Sequence, residues 1–305
     1  MPRHLAVRVG YLPTPSHIPN VPLDDPNPDF DGVEGRLPVS PNPVPSGYPT
    51  PWTTGLRGLG IDVASLTPHA GGVTFNTPGQ VIEGYDFAES VHITGPNITL
   101  RRCRVTSSDF FPVYTDVTAP GAIIEDCRIR SVGSNPARVV GLEGDGTIMR
   151  RCDTSGGADN VGLSANNLVV EDCYIAGAYY VALLPNGDSS HNDCFQSAGG
   201  SNVTIRRCSV IGTWRDQTSC CLFKADATNI TGVTLQSNYF SGGNQCLIFY
   251  DMGAGRMVSG VVMTDNRFEL DSWNIAAFPD ISAYKSVEQM AASFIETGTL
   301  VIPSP

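Results

Sequence analysis

A repeat with the period of a β-strand constrains this chain more than any other feature. Seven segments share one order: apolar, any, apolar, two polar residues, a small residue, any, apolar. They are Ile98–Val105 (ITLRRCRV), Ala122–Ile129 (AIIEDCRI), Thr147–Thr154 (TIMRRCDT), Leu168–Ile175 (LVVEDCYI), Val203–Val210 (VTIRRCSV), Val233–Phe240 (VTLQSNYF) and Val261–Phe268 (VVMTDNRF), with Gln80–Phe87 (QVIEGYDF) a weaker eighth. Alternation with period two means a strand with one buried face, interrupted by a two-residue bend. Self-similarity at a spacing of roughly 20–50 residues is the signature of a solenoid. The repeats contain no amphipathic helical stretch, which argues against leucine-rich and ankyrin-type arrays. If each turn lies about 4.8 Å above the last, like positions stack, and Cys103, Cys127, Cys152, Cys173 and Cys208 form a buried column continued by Asn238 and Asn266.

The bends test this independently. On five successive turns they read Arg101-Arg102, Glu125-Asp126, Arg150-Arg151, Glu171-Asp172 and Arg206-Arg207. Every turn is flanked by the opposite sign, as parallel in-register stacking requires, because like charges placed side by side destabilise and opposite ones help. A second column is predicted upstream of the repeats: Val140-Gly-Leu142, Val161-Gly-Leu163, Asp193-Cys-Phe195, Cys221-Leu-Phe223 and Leu247-Ile-Phe249. Two or three parallel strands per turn around one core make a parallel β-helix. Asn97, Asn202 and Asn229 fall in N-x-T triplets near the repeats, where asparagine serves turns.

Composition excludes several classes. The net charge of -11 over 305 residues argues against nucleic-acid binding, and it disfavours a bare anionic glycan unless a cation bridges it. The apolar runs are too short to cross a bilayer, so no membrane insertion is expected. Arg8 interrupts the place where a secretion signal carries its apolar stretch, so none is expected. The nine cysteines are odd in number and lack CxxC or zinc spacing; they are read as small apolar packing, and no metal site is assigned.

The chain divides into three parts. Residues 1–52 form a proline-rich arm: positions 13–51 hold 12 of the 23 prolines, a composition that stays extended and relies on a partner for order. Residues 53–272 are the solenoid with its N-terminal cap, within 53–79. Residues 273–305 break the pattern and are read as a C-terminal cap or association segment.

The stretch Gly71-Gly-Val-Thr-Phe75 and Thr77-Pro-Gly-Gln-Val-Ile-Glu-Gly84, with the later His191-Asn-Asp193-Cys-Phe195-Gln196, resembles right-handed parallel β-helix proteins of the pectate-lyase-like class from actinobacteria and their phages. Those proteins carry a G-V-T…T-P-G-x-V-I-x-G opening and an H-x-D-x-[IF]-Q segment. The resemblance covers roughly residues 50 to 270. It implies an all-β, right-handed parallel β-helix solenoid with an extended proline-rich N-terminal arm. It further implies a phage minor tail protein, similar to tail spikes, that is homotrimeric, assembled in the host cytoplasm and built into the virion tail. Such a protein engages host cell-wall polysaccharide and joins other tail proteins through residues 1–52. The alternatives are a polysaccharide-degrading hydrolase or lyase of the same fold and a purely structural tail component.

Candidate site residues follow from the longest interval between repeats, which holds Asp188, His191 and Asp193. If Phe195, Phe223 and Phe249 point inward together, the residues after them, Gln196, Lys224 and Tyr250, face out as one group. Glu143 then lies two turns above Gln196 and Asp226 beside Lys224. Hydrolysis needs an acid and a base, which Asp188 or Asp193 with Glu143 or Asp226 can supply. Lyase chemistry needs a base, Lys224 or His191, and a cation or arginine for the uronate carboxylate; calcium is the cation expected if the protein is a lyase. Gln196, Asp226 and Tyr250 are the expected glycan contacts. A structural reading competes, with His191 and Asp193 merely holding the inserted loop; Asp193 shares parity with Phe195 and is predicted to point inward, which weakens it as a catalyst.

Overall fold

The computed structural model describes residues 44–132, 138–177, 190–212, 218–243, 245–250, 252 and 255–268, and the backbone of 274–277. Three sheets of nine strands account for nearly all of it, and strands of one sheet pair in parallel from turn to turn. The first sheet runs from Thr67–His69 to Arg267–Phe268, the second from Val73–Phe75 to Asn274–Ala277, and the third from Val81–Glu83 to Val258–Ser259 and Val262–Thr264. One strand of each sheet per turn, repeated along the chain, is a parallel β-helix.

Each eight-residue repeat supplies a strand to the third sheet, turns a corner, and continues as a strand of the first. On the third sheet Leu100, Ile124, Met149, Val170, Ile205, Leu235 and Met263 are consecutive register partners. On the first sheet Val105, Ile129, Thr154, Ile175, Val210, Phe240 and Phe268 form the matching inward file. Cys103, Cys127, Cys152, Cys173 and Cys208 lie just past the corner, the other four cysteines lie in strands of the second sheet, and all nine are buried with none in a disulfide. Burial pushes the Cys127 and Cys173 thiols well up, as expected of neutral packing groups. Above them Asn238 and Asn266 form a ladder: the Asn238 amide donates to Asn266 Oδ1 at 3.0 Å, and Asn238 Oδ1 accepts from the Cys208 backbone N–H at 2.9 Å.

The corners explain the bend residues. Arg102, Asp126, Arg151, Asp172, Arg207, Ser237 and Asp265 all hold a left-handed backbone with φ between 52° and 56°. Each arginine pair reaches back to the acidic pair of the turn before: Arg150 to Glu125 at 2.7 Å, Arg151 to Asp126 at 2.7 Å, Arg206 to Glu171 at 2.6 Å and Arg207 to Asp172 at 2.7 Å. Arg101 and Arg102 do the same to Glu83, on the weak eighth repeat. The corner before the third sheet is also left-handed on successive turns, at Gly79, Asn97, Gly121, Gly146, Asn167, Asn202, Gly232 and Gly260. Only glycine and asparagine occur there, the residues that enter this region at least cost. Asn97 and Asn202 are therefore turn residues; Asn229 does not share the conformation.

Before the first turn the chain runs along the outside of the first sheet, against the direction of stacking. Val44 and Tyr48 pack on Ala176, Ile211 and Tyr239, with the Tyr48 and Tyr239 rings 5.5 Å apart. Further down, the Gly55 N–H donates to the Arg151 carbonyl at 2.7 Å, and a Cβ at Gly55 would meet the Cys127 carbonyl at 2.9 Å. Gly55 opens the short helix Gly55–Gly58, which buries Leu56. Asp153 lies against this strap; it takes a hydrogen bond from Arg130 at 2.6 Å and, like Arg128 and Arg130, is almost solvent-free. Burial and the neighbouring Arg130 pull Arg128 down to about 10 against the opposing pull of Asp153. Leu56→Ala is expected to cost about 2–3 kcal/mol, read as a lower urea midpoint of the full chain.

Candidate functional site on the second sheet

The second sheet turns a file of side chains outward, one per turn: His92, Tyr114, Gly141, Gly162, Gln196, Leu222 and Ile248 are register partners. The two glycines matter because neighbouring side chains lie over them. A Cβ at Gly162 would stand 2.3 Å from the Arg138 side chain, so Arg138 crosses the sheet where Gly162 leaves room. Its guanidinium approaches Asp159 at 3.4 Å and hydrogen-bonds the Gln196 side-chain carbonyl.

Around this guanidinium lies a carboxylate pair. Asp159 and Asp193 each stand two residues before a register partner, Val161 and Phe195 respectively, and so occupy adjacent turns. The Asp193 backbone N–H donates to Asp159 Oδ1 at 3.2 Å, and the Ser219 hydroxyl donates to Asp193 Oδ1. Asp193 is 1% exposed, and its Oδ2 is buried with no hydrogen-bond partner among the described residues. Burial raises Asp159, opposed by Arg138 and by the nearby His191. Burial, reinforced by the Asp159 charge, pushes Asp193 well above the ordinary carboxylate range. Two acids one turn apart cannot both ionise cheaply.

The sequence-predicted residues separate into two groups. Asp193, Gln196 and His191 belong to the cluster, with His191 exposed at its edge. Lys224, Asp226 and Tyr250 form a second group, Lys224 one turn and Tyr250 two turns beyond Gln196: Lys224 Nζ pairs with Asp226 at 3.1 Å and lies 6.0 Å from the Tyr250 ring. The expected alignment needs correction. Phe223 and Phe249 do stack, 5.3 Å apart, but Phe195 pairs with Cys221, and Ser197 occupies the Phe223 level. Gln196 is therefore level with Leu222, not with Lys224. Glu143, which follows Leu142 and thus shares the level of Lys224, bonds instead to the Tyr114 hydroxyl at 2.6 Å and stands outside the carboxylate pair. Asp188 lies outside the described residues.

Three cluster members were not anticipated: Arg138, Asp159 and Ser219. Aligning Asp159-Asn-Val161 with Asp193-Cys-Phe195 reveals the second aspartate, but only once the register is known. Among the described residues no group of three or more His, Cys, Asp or Glu is placed to hold a metal ion, and no helix is long and apolar enough to cross a membrane.

No family model matches the chain, and no curated protein is similar to it in sequence. Among solved structures it is similar to a pectin methylesterase from Aspergillus niger, at 11% identity over 78% of this chain and 82% of that one, with a TM-score of 0.21. A likeness that slight carries no argument about activity; the parallel β-helix stands on this chain's own three sheets.

Proposed function

We propose that this protein is a tail-spike-like component of a phage virion that engages host cell-envelope glycan along the outer face of its second sheet. Residues 1–52 attach it to other tail proteins, and three copies associate. The observation that supports glycan engagement is Arg138 with Gln196 on an elongated outer face, beside the largely buried Asp159–Asp193 pair, since long solenoids present extended grooves. The attachment role draws on the proline-rich composition and on the sequence resemblance. The test is a pull-down of the full chain on polysaccharide extracted from actinobacterial cell walls, with antibody labelling of whole particles. Retention on the polysaccharide, weakened by Arg138→Ala, and label on the tail are expected. An unlabelled tail removes the virion reading, and failure to be retained removes the glycan reading.

Hydrolytic turnover of the bound glycan is the second reading, drawn from the Asp159–Asp193 pair beneath Arg138, and it needs that largely buried pair to be uncovered. It requires release of reducing ends from the same polysaccharide.

A further inference from the structure

We infer that Phe110, Phe111 and Tyr114 form a stacking platform for the apolar face of a neutral pyranose, one subsite along from the acidic cluster; this rests on the glycan reading above. Phe110 is 50% exposed, in the bend that leads into the strand Val113–Thr115. Its ring meets Phe111 edge-on at 4.7 Å, and Phe111 lies against Tyr114 at 4.8 Å with the planes tilted by 32°. The platform sits over bare backbone: a Cβ at Gly141 would come within 2.8 Å of both the Phe111 and Tyr114 rings. Glycine is needed there so that the rings can lie close to the strand. Glu143 fixes the Tyr114 ring by accepting its hydroxyl hydrogen.

The platform and the cluster are continuous. The Arg138 N–H donates to the Phe110 carbonyl at 2.7 Å, so the residue that carries the guanidinium also anchors the first ring. Tyr114, Gly141, Gly162 and Gln196 are successive register partners, which sets Tyr114 and Gln196 three turns apart along the solenoid axis, with the rings over Gly141 and the Arg138 side chain over Gly162 between them. A narrow aromatic strip beside fixed carboxylate, amide and guanidinium groups matches a sugar, which offers an apolar ring face and a polar rim. A stable protein partner would bury about 800 Å² of surface per side, far more than three rings present. The net charge of -11 favours a neutral sugar over an anionic one.

The test uses the full chain with three neutral β-1,4-linked hexasaccharides, of glucose, N-acetylglucosamine and galactose, and reads affinity by calorimetry and oligomeric state by sedimentation. At least one hexasaccharide is expected to bind, and Phe110→Ala and Phe111→Leu are each expected to weaken it by about three- to tenfold with the oligomeric state unchanged. Undiminished affinity in both variants, with loss in Arg138→Ala, overturns the platform and leaves the glycan reading standing. A change of oligomeric state in Phe110→Ala overturns it in favour of a second copy of the chain. No binding of the wild-type protein to any of the three overturns the neutral pyranose, whereas the cell-wall pull-down judges the broader reading separately.

Discussion

Reversing one acidic corner, Glu125→Arg with Asp126→Arg, is expected to destabilise the protein by about 2–4 kcal/mol. The change removes three ion pairs, Arg150 to Glu125 at 2.7 Å, Arg151 to Glu125 at 3.0 Å and Arg151 to Asp126 at 2.7 Å. It also inserts two cations between Arg101 and Arg150, the register partners of residue 125 on either side. The acids are 9% and 6% exposed, so the new charges enter a poorly solvated place. The arginines are more open, at 35% and 43% of their side chains, and solvent screening there keeps each pair's share modest.

Backbone strain does not confuse the result, because Arg102 and Arg151 already hold the left-handed conformation found at Asp126. Thermal unfolding should shift down by about 2–4 °C per kcal/mol for a chain near this size. The deficit should shrink between 0.1 M and 1 M salt as the screening length falls from about 10 Å to about 3 Å. Glu125→Gln with Asp126→Asn should cost less, since it removes attraction without adding repulsion. A reversal variant as stable as the wild type at low salt would mean that the corners do not stack in register in solution.

The same in-register repetition makes most of the fold legible in the sequence. A cysteine or asparagine at a fixed offset from two apolar residues, and corner charges that alternate in sign, define columns directly. The site was harder to read for one physical reason. A strand pattern of period two is unchanged by a slip of two residues, so Asp193-Cys-Phe195 and Phe195-Gln-Ser197 fit the second sheet's pattern equally well by parity. Preference for an apolar residue at the inner level selected the first, but the structure places Ser197 there, 1% exposed, level with Leu163 and Phe223. That slip hid the partnership of Asp159 with Asp193 and set Gln196 level with Lys224.

Arg138 was hidden for a related reason. Its position over the sheet depends on the absence of a side chain at Gly162 one turn away, and a glycine announces such a cradle only when its neighbour in space is known. The strap from Val44 to Leu59 has no period to read. Its contacts with Tyr239 and Arg151 join residues far apart in sequence, and proline-rich composition alone describes an extended segment without saying what lies beneath it.

Asp193→Asn is expected to raise the thermal stability of the protein by a few degrees at pH 7–8, with the gain vanishing toward about pH 4. Burial first, and then the Asp159 charge, raise the folded-state affinity of Asp193 for its proton. The native protein therefore holds a proton that the unfolded chain has already released, and stability falls as pH climbs from the unfolded carboxylate range toward the folded one. Asparagine keeps an oxygen for the Ser219 hydroxyl and never titrates, so it removes that loss. Below about pH 4 both forms are neutral and the advantage ends. Asp159→Asn should act in the same direction, since burial raises Asp159 as well, but less, because Arg138 supports its ionised form. If the pair turns glycan over, either substitution should lower the rate by about 10²–10⁴-fold while hexasaccharide affinity changes little. A loss of stability in Asp193→Asn that is equal at pH 5 and pH 8 would show the Asp193 carboxylate ionised and held by attraction, and would remove both the stored proton and its use as an acid.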